Sequence, residues 1–64
     1  MVKNMLFEKE IRETEEKLYK KGYYMDNMVA PYNDYYEVYN ADMKVVMDYL
    51  SVAQLVQLAN ILTA

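Results

Sequence analysis

The chain has no cysteine, no histidine and no tryptophan, and only one glycine, one proline, one serine and one arginine in 64 residues. Each absence removes a class of function. Without cysteine no disulfide can staple a small fold, and without cysteine and histidine the ordinary zinc and haem ligand sets are missing. The same absences remove the commonest strong nucleophile and the commonest general base. A lone Gly22 leaves no glycine-rich loop to cradle a phosphate. Ser51 is accounted for by a helix cap, and Arg12 by a solvated helix face. An Asp34–Asp48 pair doing acid–base work needs a concave site, which so shallow a domain does not offer. The Asn33-Asp34 and Asn40–Asp42 groupings lack the spaced oxygen ligands and bidentate glutamate of a calcium loop. A non-catalytic protein without metal or cofactor is expected.

Long apolar runs are also missing. The longest charge-free stretch, Tyr49–Ala64, has 16 residues and contains Gln54, Gln57 and Asn60, so it predicts a buried helix and no membrane span. Met1–Phe7 runs into charge at Glu8, so no signal peptide is expected, and the lack of cysteine agrees with a cytoplasmic location. A single domain this short buries only roughly 60% of its unfolded surface. With disulfides and metals excluded, a partner chain is the remaining supplement, and a homodimer or larger species is expected.

Charge of one sign is scarce where it matters. Net charge is −3, but residues 22–64 hold Lys44 alone against Asp26, Asp34, Glu37, Asp42 and Asp48. Such a half is poorly suited to phosphate backbones, whose binding rests on lysine and arginine displacing counterions.

What is present predicts an α+β domain: a helix over 3–21, strands over 35–40 and 43–50, and a helix over 52–63. In the first helix Phe7, Ile11, Thr14 and Leu18 share one stripe, widened by Met5, Leu6 and Tyr19. Glu8 with Arg12, Glu13 with Lys17 and Glu16 with Lys20 stand at i,i+4 on its solvated side. Gly22 supplies the left-handed cap. Tyr23-Tyr24-Met25 is a candidate third, edge strand, because a lone hairpin is marginal in water. Ser51-Val52-Ala53-Gln54 spells a capping box, with Leu50 and Leu55 placed to staple it. Behind it Val52, Leu55, Ala59 and Leu62 form one face, and Val56, Leu58 and Ile61 extend apolar surface most of the way round. That pattern predicts burial on nearly all sides and self-association through Leu55, Leu58, Ile61 and Leu62.

Between these helices, a two-residue loop at Ala41-Asp42 would set Val38 opposite Val45 and Tyr36 opposite Met47. One buried face would then carry Tyr36, Val38, Val45, Met47 and Tyr49. Met5, Met43 and Met47 are expected in the core, while Met25 and Met28 are the methionines free to meet a partner. A rival all-α reading merges 43–63 into one helix capped by Asp42. The Val45-Val46 pair, the upstream tyrosines and an otherwise idle capping box favour the hairpin.

Six of the eight tyrosines fall in residues 23–39. Tyrosine offers stiff, amphipathic contact area and is enriched at binding hot spots. The protein-binding candidates are Tyr24, Tyr32, Tyr35, Glu37, Tyr39, Asp34 and Asp42. The plainer account has tyrosine simply favouring strands, with the first helix covering this face. The expected function is a small regulator, inhibitor or accessory factor, of the kind carried by phages and mobile elements, acting on a larger protein. Two alternatives stand beside it. One is an acidic mimic of nucleic acid. The other is a single-stranded nucleic-acid binder using tyrosines with Lys3, Lys9, Arg12, Lys17, Lys20 and Lys21, whose cations are interleaved with almost as many acids.

Overall fold

The computed structural model describes residues 2–64, with side chains from Glu8 onward, so Met5, Leu6 and Phe7 of the predicted stripe lie outside the described side chains. Helix α1 (Val2–Lys20) is followed by β1 (Tyr24–Asn27), β2 (Tyr36–Tyr39), β3 (Val45–Leu50) and α2 (Val52–Leu62). The fold is α+β with a three-stranded antiparallel sheet in the order β1-β2-β3, so the all-α reading is overturned.

Local chemistry sets each boundary. At the end of α1 the Tyr23 N–H donates to Leu18 O and the Gly22 N–H to Tyr19 O, a Schellman pair that places Gly22 at φ 86. This turn brings Tyr23 back against the core beside Leu18. A Cβ at Gly22 would meet nothing within 4 Å, so the cost of adding one is purely conformational. Gly22→Ala should therefore lower stability by about 1–2 kcal/mol, read as a drop in melting temperature with unchanged circular dichroism. At the start of α2 the Ser51 hydroxyl accepts from the Gln54 N–H at 3.2 Å, and Gln54 Oε1 accepts from the Ser51 N–H at 3.0 Å. The capping box is complete. Leu50 and Leu55 both enter the core cluster beside it.

Both helices lie on one face of the sheet and pack against each other and against β1 and β3. The core between the layers is Leu18, Val38, Leu50, Leu55 and Ala59, with Tyr23, Met25, Tyr36, Leu58 and Leu62 around it. Thr14 is buried as well, its hydroxyl donating to Glu10 O at 2.8 Å so that no polar group is orphaned. Lys17 reaches across the helix pair to Asn60 Oδ1 at 2.7 Å.

The hairpin departs from the expected register. Asn40, not the Ala41-Asp42 pair, organises the turn: its Oδ1 accepts from the Asp42 N–H at 2.9 Å and from the Lys44 N–H at 3.0 Å. The Asn40 N–H meets Lys44 O, and the Met43 N–H meets Asn40 O, both at 2.9 Å. The loop is thus three residues long, with Met43 in the left-handed region at φ 62. Tyr39 stands opposite Val45 and Val38 opposite Met47, so the expected Val38–Val45 pair does not form. Two bulges in β3 absorb the difference, and by its end Tyr36 faces Leu50. Asn40→Ala, which strips two backbone donors of their acceptor, should cost about 1 kcal/mol, whereas Asn40→Asp keeps the acceptor and should stay within about 0.5 kcal/mol. Urea titration of the two variants separates these outcomes.

The bulges also correct the predicted core. Tyr36 and Val38 are in it, but Val45 is 50% exposed, Met47 48% and Tyr49 51%. Met43, expected inside, projects from the turn. Helix α2 buries Leu55 and Ala59 only, and Ile61 is 72% exposed, so it is not enclosed on nearly all sides. The physical reason is shared: one sheet and two helices make two layers, and a two-layer fold buries one face of each.

Candidate functional site: the open sheet face

The second face of the sheet has no helix over it. Met25 and Val38 pair in register and point to the helices. Alternation then sends Tyr24 and Asp26 of β1, with Glu37 and Tyr39 of β2, to the open side. There they form two cross-strand rows, Tyr24 beside Tyr39 and Asp26 beside Glu37. The plainer account, with α1 covering this face, holds only at its edge: Tyr24 touches Tyr19 of α1, while α1 otherwise shares the opposite face with α2.

A third row is built by the loop between β1 and β2. The Met28 N–H donates to Tyr35 O at 3.0 Å, which extends the pairing beyond the strands. The Asn27 side-chain amide donates to Asn33 O at 2.8 Å and to Tyr35 O at 2.9 Å, fastening the returning chain to β1. Tight turns close at Val29–Tyr32, around a cis Ala30–Pro31 peptide, and at Tyr32–Tyr35. These bonds bring Tyr32 and Tyr35 to one end of the open face, where both meet Tyr49. The Tyr32–Tyr49 ring centroids are 5.3 Å apart at 81°, and the Tyr35–Tyr49 centroids 6.2 Å apart at 61°. Both are edge-to-face arrangements, the favourable geometry for aromatic pairs.

Tyr49 was expected in the core. It reaches the open face because the second bulge in β3 sets it at φ 53, a conformation that L-residues other than glycine and asparagine rarely adopt. The sequence carries no signal for this: Tyr49 sits at a strand-like spacing, and only pairing with β2 reveals the extra residue. Asn27 was legible merely as a turn former, and its two bonds to the loop require knowing where Asn33 and Tyr35 return.

Of the binding candidates, Tyr35, Glu37 and Tyr39 lie together on the open face, with Tyr32 at one end and Tyr24 at the other. Tyr24 also rests its ring against Tyr19 of α1, centroids 5.7 Å apart. Asp34 and Asp42 are not brought to the rows: they occupy the exposed β1–β2 loop and the hairpin turn. Among the self-association candidates, Leu55 is consumed by the core. Leu58 and Ile61 instead line an open cleft of about 310 Å³ with Met47, Leu50 and Gln57.

The charges within the β1–β2 rows are negative, and Arg12 of α1 lines the cleft that Asp26 borders. Asp26 and Glu37 stand directly opposite each other, an arrangement that costs a sheet stability. Tyr39 responds to them: the Glu37 carboxylate as hydrogen-bond acceptor, then desolvation, then the charges of Glu37 and Asp26 hold its phenol above the usual 10.0. The contribution of that phenol to stability is therefore fully present below its unfolded value and is lost as pH rises through the higher folded value. Ultraviolet titration should show Tyr39 ionising above the ordinary phenol value, and Glu37→Gln should bring it back down.

Among the described residues no cluster of carboxylates is arranged to hold a metal ion, and no helix is long and apolar enough to cross a membrane. No family model, curated protein or solved structure matches the chain.

Proposed function

We propose that the chain is a non-catalytic interaction protein of the cytoplasm, an inhibitor or accessory factor that binds a larger protein through the open sheet face. One observation carries this reading: Tyr35, Tyr39 and Tyr49 are held on a face that neither helix covers, one of them by an unfavourable backbone conformation. Rigid aromatic area beside carboxylates is the composition of a binding surface with few rotamers to freeze. Affinity capture from a lysate of the source cells, with the wild-type chain and with Tyr35→Ser/Tyr49→Ser, tests it. A protein retained by the wild type and lost by the folded variant is expected, and equal recovery by both overturns the reading.

The acidic-mimic alternative draws support from the Asp26–Glu37 row, which offers two adjacent negative charges to a nucleic-acid-binding protein. Its mark is binding that weakens steeply between low and moderate salt. Direct binding of single strands is opposed by that same row, and retardation of a single-stranded oligonucleotide at low salt would reverse this ranking.

Self-association through α2 belongs to the proposal too. Ile61 is the outward apolar position on a helix without a single charge. Sedimentation should show a dimer or larger species that Ile61→Asp dissociates; a monomeric wild type removes this part.

A further inference from the structure

We propose that the middle of the open sheet face receives an arginine-bearing segment of the partner protein, its guanidinium lying on the Asp26–Glu37 row between the tyrosine rows. The inference rests on the reading of this face as the binding surface and adds the chemistry of what it binds.

Three features converge on arginine. The first is charge complementarity. Asp26 and Glu37 are the charged side chains that the β1–β2 register places on this face, and both are negative. The charges acting on the Tyr39 phenol in the neighbouring row are these same carboxylates, with no cation among them. A sheet that tolerates like charges side by side gains when an incoming cation neutralises them. The second is spacing. Rows two residues apart along a strand are separated by about 7 Å, so the carboxylate row is flanked at that distance by Tyr24 and Tyr39 on one side and Tyr35 on the other. A planar group entering between them meets a ring on either side. The third is the form of the cation. Guanidinium is flat and weakly hydrated, forks toward two carboxylates and stacks on aromatic faces, whereas an ammonium keeps its hydration and has no plane to stack. Phosphate-bearing partners are repelled by the same row.

The test uses the whole chain, labelled with 15N and titrated with the peptide Gly-Gly-Arg-Gly-Gly-Arg-Gly-Gly, its lysine counterpart and its citrulline counterpart. Saturable shifts at residues 24–26 and 37–39 are expected with the arginine peptide. Affinity should fall about fivefold or more with lysine, which lacks the planar fork, and vanish with uncharged citrulline. Binding should also lower the pH at which Tyr39 ionises, a readout that mere surface stickiness would not move. Asp26→Asn/Glu37→Gln should lose the peptide while folding at least as stably as the wild type, since it relieves the like-charge pair and keeps the oxygen that accepts from the Asn27 N–H. Equal binding of citrulline, shifts confined to other residues, or no saturation at roughly millimolar peptide would each overturn the inference. The two levels separate cleanly in the capture experiment. A partner lost with Tyr35→Ser/Tyr49→Ser but kept by Asp26→Asn/Glu37→Gln defeats the arginine assignment and leaves the face as the binding surface. A partner kept by both variants defeats both.

Discussion

Leu55→Ala is expected to remove about 2–5 kcal/mol of stability, the range for deleting a buried leucine from a core that cannot collapse around the gap. A domain of this size holds on the order of 3–10 kcal/mol in total, so the variant should be largely unfolded or melt far below the wild type. Leu55 is fully buried and, with Leu18, Val38, Leu50 and Ala59, makes up the apolar core among the described residues. It belongs to the cluster that contains both Leu18 and Val38, and the chain has no cysteine with which a disulfide could compensate. Ile61→Ala, on the same helix but on its outward side, should change the stability of the monomer by less than about 0.5 kcal/mol. Thermal melts followed by circular dichroism at two protein concentrations check the contrast. If Ile61→Ala proves as damaging as Leu55→Ala at high concentration, a second chain covers that side of α2. If Leu55→Ala is tolerated, the core has been placed wrongly.

Tyr49→Gly is expected to affect binding far more than stability. The backbone at φ 53 disfavours a tyrosine by about 1–2 kcal/mol, and glycine adopts it freely. Glycine gives back about 0.5–1 kcal/mol through the greater entropy of its unfolded chain, and the edge contacts to Tyr32 and Tyr35 are lost. With about 0.5–1.5 kcal/mol for each edge contact, the losses offset the relieved strain and the variant is no more stable than the wild type. Partner affinity, in contrast, should fall more than tenfold, because loss of an aromatic anchor from a binding surface typically exceeds about 1.4 kcal/mol. Strain of this kind persists where surrounding contacts over-determine it, and it clusters at functional sites. The measurement is a pair of curves on one preparation: a denaturant titration and a binding isotherm with the captured partner. A marked loss of stability would show that Tyr49 props the β3 bulge for structural reasons alone. Unchanged affinity would take it out of the site.

How much of this was legible beforehand depended on the range of the interaction. The first helix (expected over 3–21, found over Val2–Lys20), its glycine stop and the Ser51–Gln54 box were readable, because each is set by residues within about five positions of one another. The strand after Gly22, in contrast, was expected only because a lone hairpin needs support. The sites that needed the fold are those settled by distant chain segments. Asn40 looked like one turn residue among several, yet its side-chain oxygen lengthens the loop by one position and moves every pairing beyond it. Val45, Met47 and Tyr49 were apolar at the right spacing for a buried face, but two bulges and an edge position leave them half in solvent. Those same bulges guard the edge of β3, where a flat apolar strand would invite another chain. Of the binding candidates, Tyr35, Glu37 and Tyr39 could be grouped by alternation alone, whereas Asp26 and Tyr49 join them only through pairing with other strands.

The sequence by itself determined the class of protein: a small α+β chain with neither cysteine nor histidine, carrying more tyrosine than its own interior uses. It determined this because composition and short-range propensity need no knowledge of contacts. Only the tertiary structure decided which tyrosines face outward and what lies among them. Both helices settled on the Met25–Val38 side, because a two-layer fold covers one face of its sheet, and the other face was left with its aromatic rows and one row of like-charged carboxylates.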